Sequence, residues 1–347
     1  MNKFRLLITT MAICALTACS SDKADPAPGN AIELRLASAI GGAATRAEYP
    51  TTQSTAMAAN ETVYAWVYDA GNPLPGVGTE STTELMKAWT LTCNATGTLA
   101  GANKCYFPSS GNTVNAYAIH GNFTTTPVEG TTTWADIQTI THEVKANQSI
   151  AGNYELSDLL FARNTTITRD NSVKPLTFKH QLAKIEIHLV CGDGLEAADL
   201  TGATVKIKNL KTTATITLSK TADFGTVAVS GATTDVQCRM QYRDDVERDV
   251  ATPPAASDIR KAYAFAEAIV VPQWFSSDGT ATGAAQTFLE ITLPSNIVLT
   301  NTLGPIEFQQ GKKLGYNVTL SATGIKLSTQ ITDWEDGVAN PIITQTD

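Results

Sequence analysis

The sequence predicts an all-β extracellular protein, and three observations predict it. Only 17% of its 347 residues are charged. Turn formers, 24 Gly and 14 Pro, are spread along the whole chain rather than gathered at a few joints. Between them, short runs alternate apolar and polar residues with period two, while helical spacing is nearly absent. A formal net charge of -8 repels a polyanion, so binding to nucleic acid through neutralised phosphates is set aside.

At the N-terminus, Lys3 and Arg5 precede the apolar run Leu6 to Ala18, the charge-then-hydrophobic order of an export signal and too short to span a bilayer. The run ends in Leu16-Thr17-Ala18-Cys19, small residues before a cysteine whose thiol takes lipid and which becomes residue one. Residues 1–18 therefore read as a lipoprotein signal peptide, with Cys19 as the acylated, palmitate-bearing residue. Ser20 and Ser21 after it, in place of Asp, favour the outer membrane as destination. The most apolar later stretch, Ala262 to Phe275, is interrupted by Glu267 and Pro272 and offers no second anchor.

Residues 19–46 read as a propeptide. Ser20 to Asn30 is polar, as a tether should be. Ala31 to Ile40 is not: Ile32, Leu34, Leu36 and Ile40 fall on one face of a strand and Glu33, Arg35 and Ala39 on the other. Burying those four aliphatics is worth roughly 6 to 10 kcal/mol before chain entropy is charged. Small, flexible residues then surround one arginine, Gly41-Gly42-Ala43-Ala44-Thr45-Arg46-Ala47, a good substrate for an Arg-specific protease. Cleavage after Arg46 detaches the lipid and makes the strand removable. A sandwich that loses an edge strand exposes a groove with unpaired backbone groups, which a strand from another subunit fills. A permanent first strand with an incidental arginine is the plainer alternative.

Further strands are expected at Glu61 to Asp69, Asn112 to His120, Thr204 to Leu210, Thr215 to Ser219, Phe288 to Leu293 and Tyr316 to Leu320. In the first, Val63, Ala65 and Val67 face one way and Tyr64, Trp66 and Tyr68 the other, as in a strand covered on both faces. A mature chain of this length exceeds one sandwich, so two domains are expected, 47–172 and 173–347, with the boundary in the polar stretch Asn164 to Lys174. In Pro175 to Cys191 the inward set shifts from Phe178 and Leu182 to Ile185, Ile187 and Leu189, which predicts a bulge or one helical turn near His180 to Ala183.

Four cysteines remain after Cys14 and Cys19 leave. Cys93 and Cys105 flank a turn-rich loop as a cross-strand clip would, and a bridge between them and two buried thiols are both open readings. Cys191 and Cys238 have nothing local to join them. Lys184, Glu186 and His188 share a strand face, which reads as solvated surface rather than half a metal site. The cluster Arg243, Asp244, Asp245, Glu247, Arg248 and Asp249 reads as a solvated loop. No catalytic or phosphate-binding motif is found, so no enzyme, metal or cofactor is expected.

Several stretches together resemble one family: Leu16 to Cys19; Thr45-Arg46-Ala47; Asp158-Leu159-Leu160-Phe161-Ala162; Leu176 to Leu189; Phe308 to Tyr316; and Ile331-x-Asp333-Trp334-x-x-Gly337. In their order and spacing the chain resembles the fimbrillins of Bacteroidales, subunits of type V pili, over essentially its whole length. The resemblance implies two tandem transthyretin-like, Greek-key β-sandwich domains. It implies that a gingipain-type protease cuts after Arg46, leaving Ala47 first and removing the strand of Ile32, Leu34, Leu36 and Ile40. It also implies a donor strand from the C-terminal region: Gly324 to Trp334, with Ile325, Leu327 and Ile331 on one face, or the final Ile342-Ile343. His180, inside a shared stretch, is expected to be a hydrogen-bonded structural residue.

The expected function is therefore a structural fimbrial subunit serving adhesion, a lipid-anchored outer-membrane precursor that joins a head-to-tail surface polymer. Its partners would be other subunits, the protease and a receptor the sequence does not name. Arg46 argues against an anchor subunit, and shaft and tip positions both stay open. The chain from Ala47 has 20 basic and 30 acidic residues, a formal charge of -10 that favours soluble fibres. The alternative is a lipid-anchored glycan-binding protein using Trp89, Trp134 and Trp274 as platforms.

Overall fold

The computed structural model describes residues 31–40, 57–71, 83–192, 194–242 and 264–333. In chain order these form β1 (Arg35–Ile40), β2 (Thr62–Asp69), β3 (Glu84–Cys93), β4 (Thr98–Ala100), β5 (Val114–Gly121), α1 (Trp134–Ile137), β6 (Thr139–Glu143), α2 (Asn153–Leu156), β7 (Leu159–Ile167), β8 (Val173–His180) and β9 (Ala183–Cys191). There follow α3 (Ala197–Leu200), β10 (Thr204–Thr217), β11 (Thr226–Gln237), β12 (Arg239–Tyr242), β13 (Ala264–Val270), β14 (Gln273–Phe275), β15 (Gln286–Thr292), β16 (Val298–Leu303), β17 (Ile306–Phe308), β18 (Lys312–Ser321) and β19 (Gly324–Asp333). The protein is all-β, as its alternation predicts.

Seven strands close a barrel in the order β1-β4-β3-β2-β5-β7-β8. Val63, Ala65 and Val67 of β2 point into its core with Trp89, Leu91, Leu176 and Phe178. The opposite face of β2 is covered too, because Trp66 packs edge-on against Trp134 of α1. The Trp66 indole N–H donates to the Thr132 carbonyl at 2.9 Å, so its polar atom is satisfied in the core. A second apolar core lies between two further sheets, β11-β10-β15-β16 with β6 attached to β10, and β12-β13-β9-β18-β19. A third cluster takes Trp66, Tyr117, Trp134 and Phe161 from outside the barrel and Ile140, Ala214, Ile216 and Ile269 from those sheets. The described residues from Ile32 onward accordingly form one compact unit.

The expected runs at 204–210 and 215–219 merge into one strand, β10, whose ladder to β11 skips register between Ile207 and Leu210 and again between Lys211 and Thr213. Asn209, at φ 60, absorbs the first irregularity. The parity shift near His180 has a larger cause than a bulge. β8 begins at the boundary expected at 172/173 and pairs within the barrel, and the chain changes sheets at Gln181 and Leu182 before β9 pairs with β13 and β18. The shared stretch Leu176 to Leu189 thus spans the changeover. Its His180, 1% exposed, lies with Nδ1 3.0 Å from Oδ2 of Asp158, in the other shared stretch.

The face read as solvated is buried instead. Lys184 is 2% exposed, its ammonium 2.7 Å from Glu186 and 3.0 Å from Glu267. The Tyr154 hydroxyl donates to Glu267 at 3.3 Å, and Arg239 bridges Glu155 at 2.9 Å. The cover comes from α2 and β12, both remote in sequence from β9, so alternation within β9 alone gave the wrong environment. Burial works against the charge on Lys184, but Glu186 and Glu267 outweigh it and hold the ammonium well above its ordinary pKa. Gln148 adds a link of the same kind: it is 1% exposed, accepts from the Ile269 N–H at 2.9 Å and donates to the Ile269 carbonyl at 2.7 Å.

Two outcomes are expected. Lys184→Met leaves two carboxylates without their central cation and lowers the unfolding free energy by about 3 kcal/mol, read by urea denaturation at neutral pH. The second concerns acid. Burial pushes the Asp158 carboxyl up, but the charge and hydrogen bond of His180 and the Leu159 N–H hold it below the usual range. A carboxyl lowered by folding adds stability that is present above the ordinary value near ~4 and is lost as pH falls through the folded value. Asp158→Asn should therefore flatten part of the fall in denaturation midpoint between about pH 5 and 2, an effect absent if the pair adds nothing.

Candidate assembly groove

β1 occupies the seam of the barrel. On one side it runs parallel to β8, from Arg35 opposite Val173 to Ile40 opposite Phe178. On the other it runs antiparallel to β4, with Leu36 opposite Leu99 and Ala37 opposite Thr98. Before the strand proper, the Leu34 N–H donates to the Cys105 carbonyl at 2.9 Å and the Phe107 N–H to the Ile32 carbonyl at 3.0 Å. The strand is thus paired on both sides, along its whole length by β8 and over part of it by β4 and the segment at Cys105, as a buried strand requires.

Its side chains follow the predicted faces. Leu34 and Leu36 are each 1% exposed and Ile40 6%, all within the barrel core, and Ile32 packs partly against it. Arg35 is exposed, and Glu33 makes a surface ion pair of 3.2 Å with Lys104 that adds little. The three buried aliphatics contribute roughly 5 to 9 kcal/mol as an upper figure.

One inward position escaped the sequence reading: Ser38, between Leu36 and Ile40 on the same face and 6% exposed. Its hydroxyl donates to the Gly97 carbonyl at 3.1 Å, accepts from the Met57 N–H at 3.3 Å and lies 3.4 Å from the Cys93 sulfur. The β3–β4 turn makes this small polar subsite. The Asn94 side-chain oxygen accepts from the Thr96 and Thr98 N–H groups, each at 2.9 Å, and Gly97 adopts φ 83, a conformation glycine reaches without strain. The Gly97 carbonyl then also receives the Ser38 N–H at 2.8 Å. A hydroxyl among aliphatics at even spacing was the available signal.

Of the two open readings for Cys93 and Cys105, the structure has them as two free thiols. Cys93 of β3 sits opposite Leu99, while the Cys105 carbonyl accepts from the Leu34 N–H on the approach to β1. Both are buried in the barrel core, the small-hydrophobe reading. Burial pushes the Cys238 thiol well above its ordinary pKa, which keeps it protonated at neutral pH.

The candidate donor segment is β19, at the end of its sheet, with β18 as its hydrogen-bonded neighbour among the described residues. Ten residue pairs join the two, Leu320 with Ile325, Val318 with Leu327 and Leu314 with Ile331 among them. Leu327 is buried and Ile325 partly so. Cys19, Arg46, Ala47, Trp334, Ile342, Ile343 and the acidic cluster 243–249 lie outside the described residues. Of the proposed glycan platforms, Trp89 and Trp134 are 4% and 6% exposed, core residues that present no ring to solvent, while Trp274 is half-buried in β14.

The model of the fimbrillin-like family matches residues 45–334. The chain belongs to this family. Among relatives of this fimbrillin-like chain, a candidate fimbrium subunit of Bacteroides uniformis, Fim1C, is 26% identical over 161 residues, 46% of this chain and 45% of that protein. The chain thus spans less than half of that relative's length. Two solved structures show a like fold. A candidate cell adhesion protein of Bacteroides uniformis is 21% identical, covers 89% of this chain and 100% of its own, and superposes with TM-score 0.57. Another from Bacteroides ovatus is 12% identical, covers 88% of this chain and 98% of its own, with TM-score 0.58.

Truncating β1 tests the groove. Leu36→Ala in the uncut chain should cost about 3 kcal/mol of unfolding free energy, and Arg35→Ala less than about 0.5, compared by chemical denaturation.

Proposed function

We propose that this fimbrillin-like chain is a structural subunit of a cell-surface fimbrium that serves adhesion. In this reading it is exported as a lipoprotein acylated at Cys19, held at the outer membrane as a precursor, and cut after Arg46 by an Arg-specific, gingipain-type protease. Subunits then assemble head to tail by donor-strand exchange, a heterologous contact that grows without closing. The two tandem transthyretin-like domains expected from the sequence would be the barrel side and the sandwich side, meeting at the β8–β9 changeover.

The observation that carries the proposal is the seat of β1. A terminal strand completes a barrel between β4 and β8, buries Leu34, Leu36 and Ile40, and leads directly into a short small-residue segment with one arginine. Loss of β1 would leave two backbone edges and an apolar slot in an otherwise closed barrel, a strong site for an added strand. The family match begins at residue 45, after β1 and next to Arg46.

The test is to treat the chain from Ser20 with an Arg-specific protease and follow N-terminal sequence and size together. Clean cleavage to a chain beginning Ala47, with ladders or fibres that resist SDS, is expected, and Arg46→Ala should abolish both. If Arg46 resists cleavage in the folded chain, the anchored glycan-binding reading replaces this one.

A further inference from the structure

The outer face of β2 carries Tyr64, Trp66 and Tyr68, and their polar atoms fare differently. The Trp66 indole donates to the Thr132 carbonyl and the Tyr68 hydroxyl to Glu84. Tyr64 stays half-buried, and among the described residues its hydroxyl has no partner. Burial holds that phenol above its ordinary pKa, so at neutral pH it is an intact O–H. Its ring meets Phe123 edge-on, with centroids 6.0 Å apart and planes at 75°.

The two rings form the apolar corner of a cavity of about 510 Å³, within the ~300–1,000 Å³ of small-molecule sites. The start of β2 and the end of β5 make one side of it, and α2 with the preceding Gly152 makes the other. Two carboxylates line it, and both are held in place. Nδ1 of His120 donates to the Thr62 carbonyl at 2.8 Å, which sets its Nε2 3.3 Å from Glu61. Glu155 is clamped by Arg239 at 2.9 Å. The side-chain amides of Asn60 and Asn122, both exposed at the mouth, have no partner among the described residues.

We propose that this cavity takes the terminal neutral pyranose of a glycan, with its C–H face against Tyr64 and Phe123 and its hydroxyls on Glu61, Asn122 and Glu155. The inference rests on the adhesion reading above and supplies its ligand class. It is independent of cleavage and assembly. No residue of β1 lines the cavity, and β4 and β3 separate β1 from β2 in the barrel.

Charge decides the class. His120 is the one basic side chain among the lining residues, too little to seat a sialate or a phosphate beside two carboxylates. An ammonium would compete with His120 and Arg239 for carboxylates that already face them. An apolar ligand would strip water from carboxylates and amides and return no hydrogen bond. A neutral polyol brings donors for the carboxylates and both donors and acceptors for the amides and Tyr64. Its ring carbons add the flat apolar area that an aromatic side chain covers.

The test uses the uncut chain from Ser20 and saturation-transfer difference NMR. The probes are the methyl glycosides of glucose, galactose, mannose, fucose, N-acetylglucosamine and N-acetylgalactosamine. At least one should show transfer to its ring C–H protons at millimolar concentration. Phe123→Ala should weaken that binding about tenfold by removing one ring, and Asn122→Ala, at an exposed position with no partner to lose in the fold, by a similar factor. Agarose beads carrying the bound sugar through its anomeric carbon should retain the chain.

No transfer from any of these glycosides overturns the proposal, as does transfer from methyl sialoside or a dilysine peptide in their place. Binding that survives both substitutions but is lost with Trp274→Ala moves the site to β14 and overturns this one. A chain that takes the free reducing sugar and ignores the beads overturns the glycan. Fibre formation is scored separately. A cut chain that polymerises yet ignores every glycoside keeps the fimbrial reading and loses this site, and one that binds a glycoside but never polymerises keeps the site and loses the assembly.

Discussion

The pairing of β1 on both of its edges is the constraint on which the barrel depends. A closed barrel has no edge strand, and seven strands close here only because the first meets both β4 and β8. The same strand supplies Leu34, Leu36 and Ile40 to the core it completes, so hydrogen bonding and hydrophobic burial stand or fall together at this seam. The dependence is local. The core between the other two sheets contains no residue of β1, and the aromatic cluster outside the barrel is built from β2, β5, α1 and β7 against β10 and β13. Loss of β1 therefore strikes one core of three.

Polar groups fix how the remainder fits together. Lys184 and Glu267 link β9 to β13, Tyr154 brings α2 against them, and Gln148 clasps both backbone groups of Ile269. Each group is satisfied where it is buried, and a slip of the segment between β6 and β7 would strand several at once. Asp158 and His180 do the same where the chain changes sheets. Such contacts add specificity of placement more than net stability.

Much of this was legible in the sequence because alternation reports burial directly. Leu34, Leu36 and Ile40 could be assigned inward before any coordinates, as could the two covered faces of β2. Environments set by distant segments could not. Lys184, Glu186 and His188 look solvated until α2 and β12 are laid over them, and a parity shift at His180 looks the same for a bulge as for a change of sheet. Closeness along the chain left Cys93 and Cys105 open between a bridge and two thiols, and only the fold shows both as free cysteines in the barrel core. Ser38 was passed over because a hydroxyl among aliphatics reads as a gap in a pattern, although its even position marked it as inward.

The parallel pairing of β1 with β8 bears on the order in which the chain can fold. Arg35 and Val173, partners in the ladder, are 138 positions apart. A chain made from its N-terminus presents the aliphatics of β1 long before the strand that receives them exists. Loop closure over that distance is slow, and the barrel cannot shut until β8 arrives. Through that interval the first strand is an exposed sticky segment, vulnerable to premature pairing with neighbours, so the step that completes this fold is also the one most in need of protection during biogenesis.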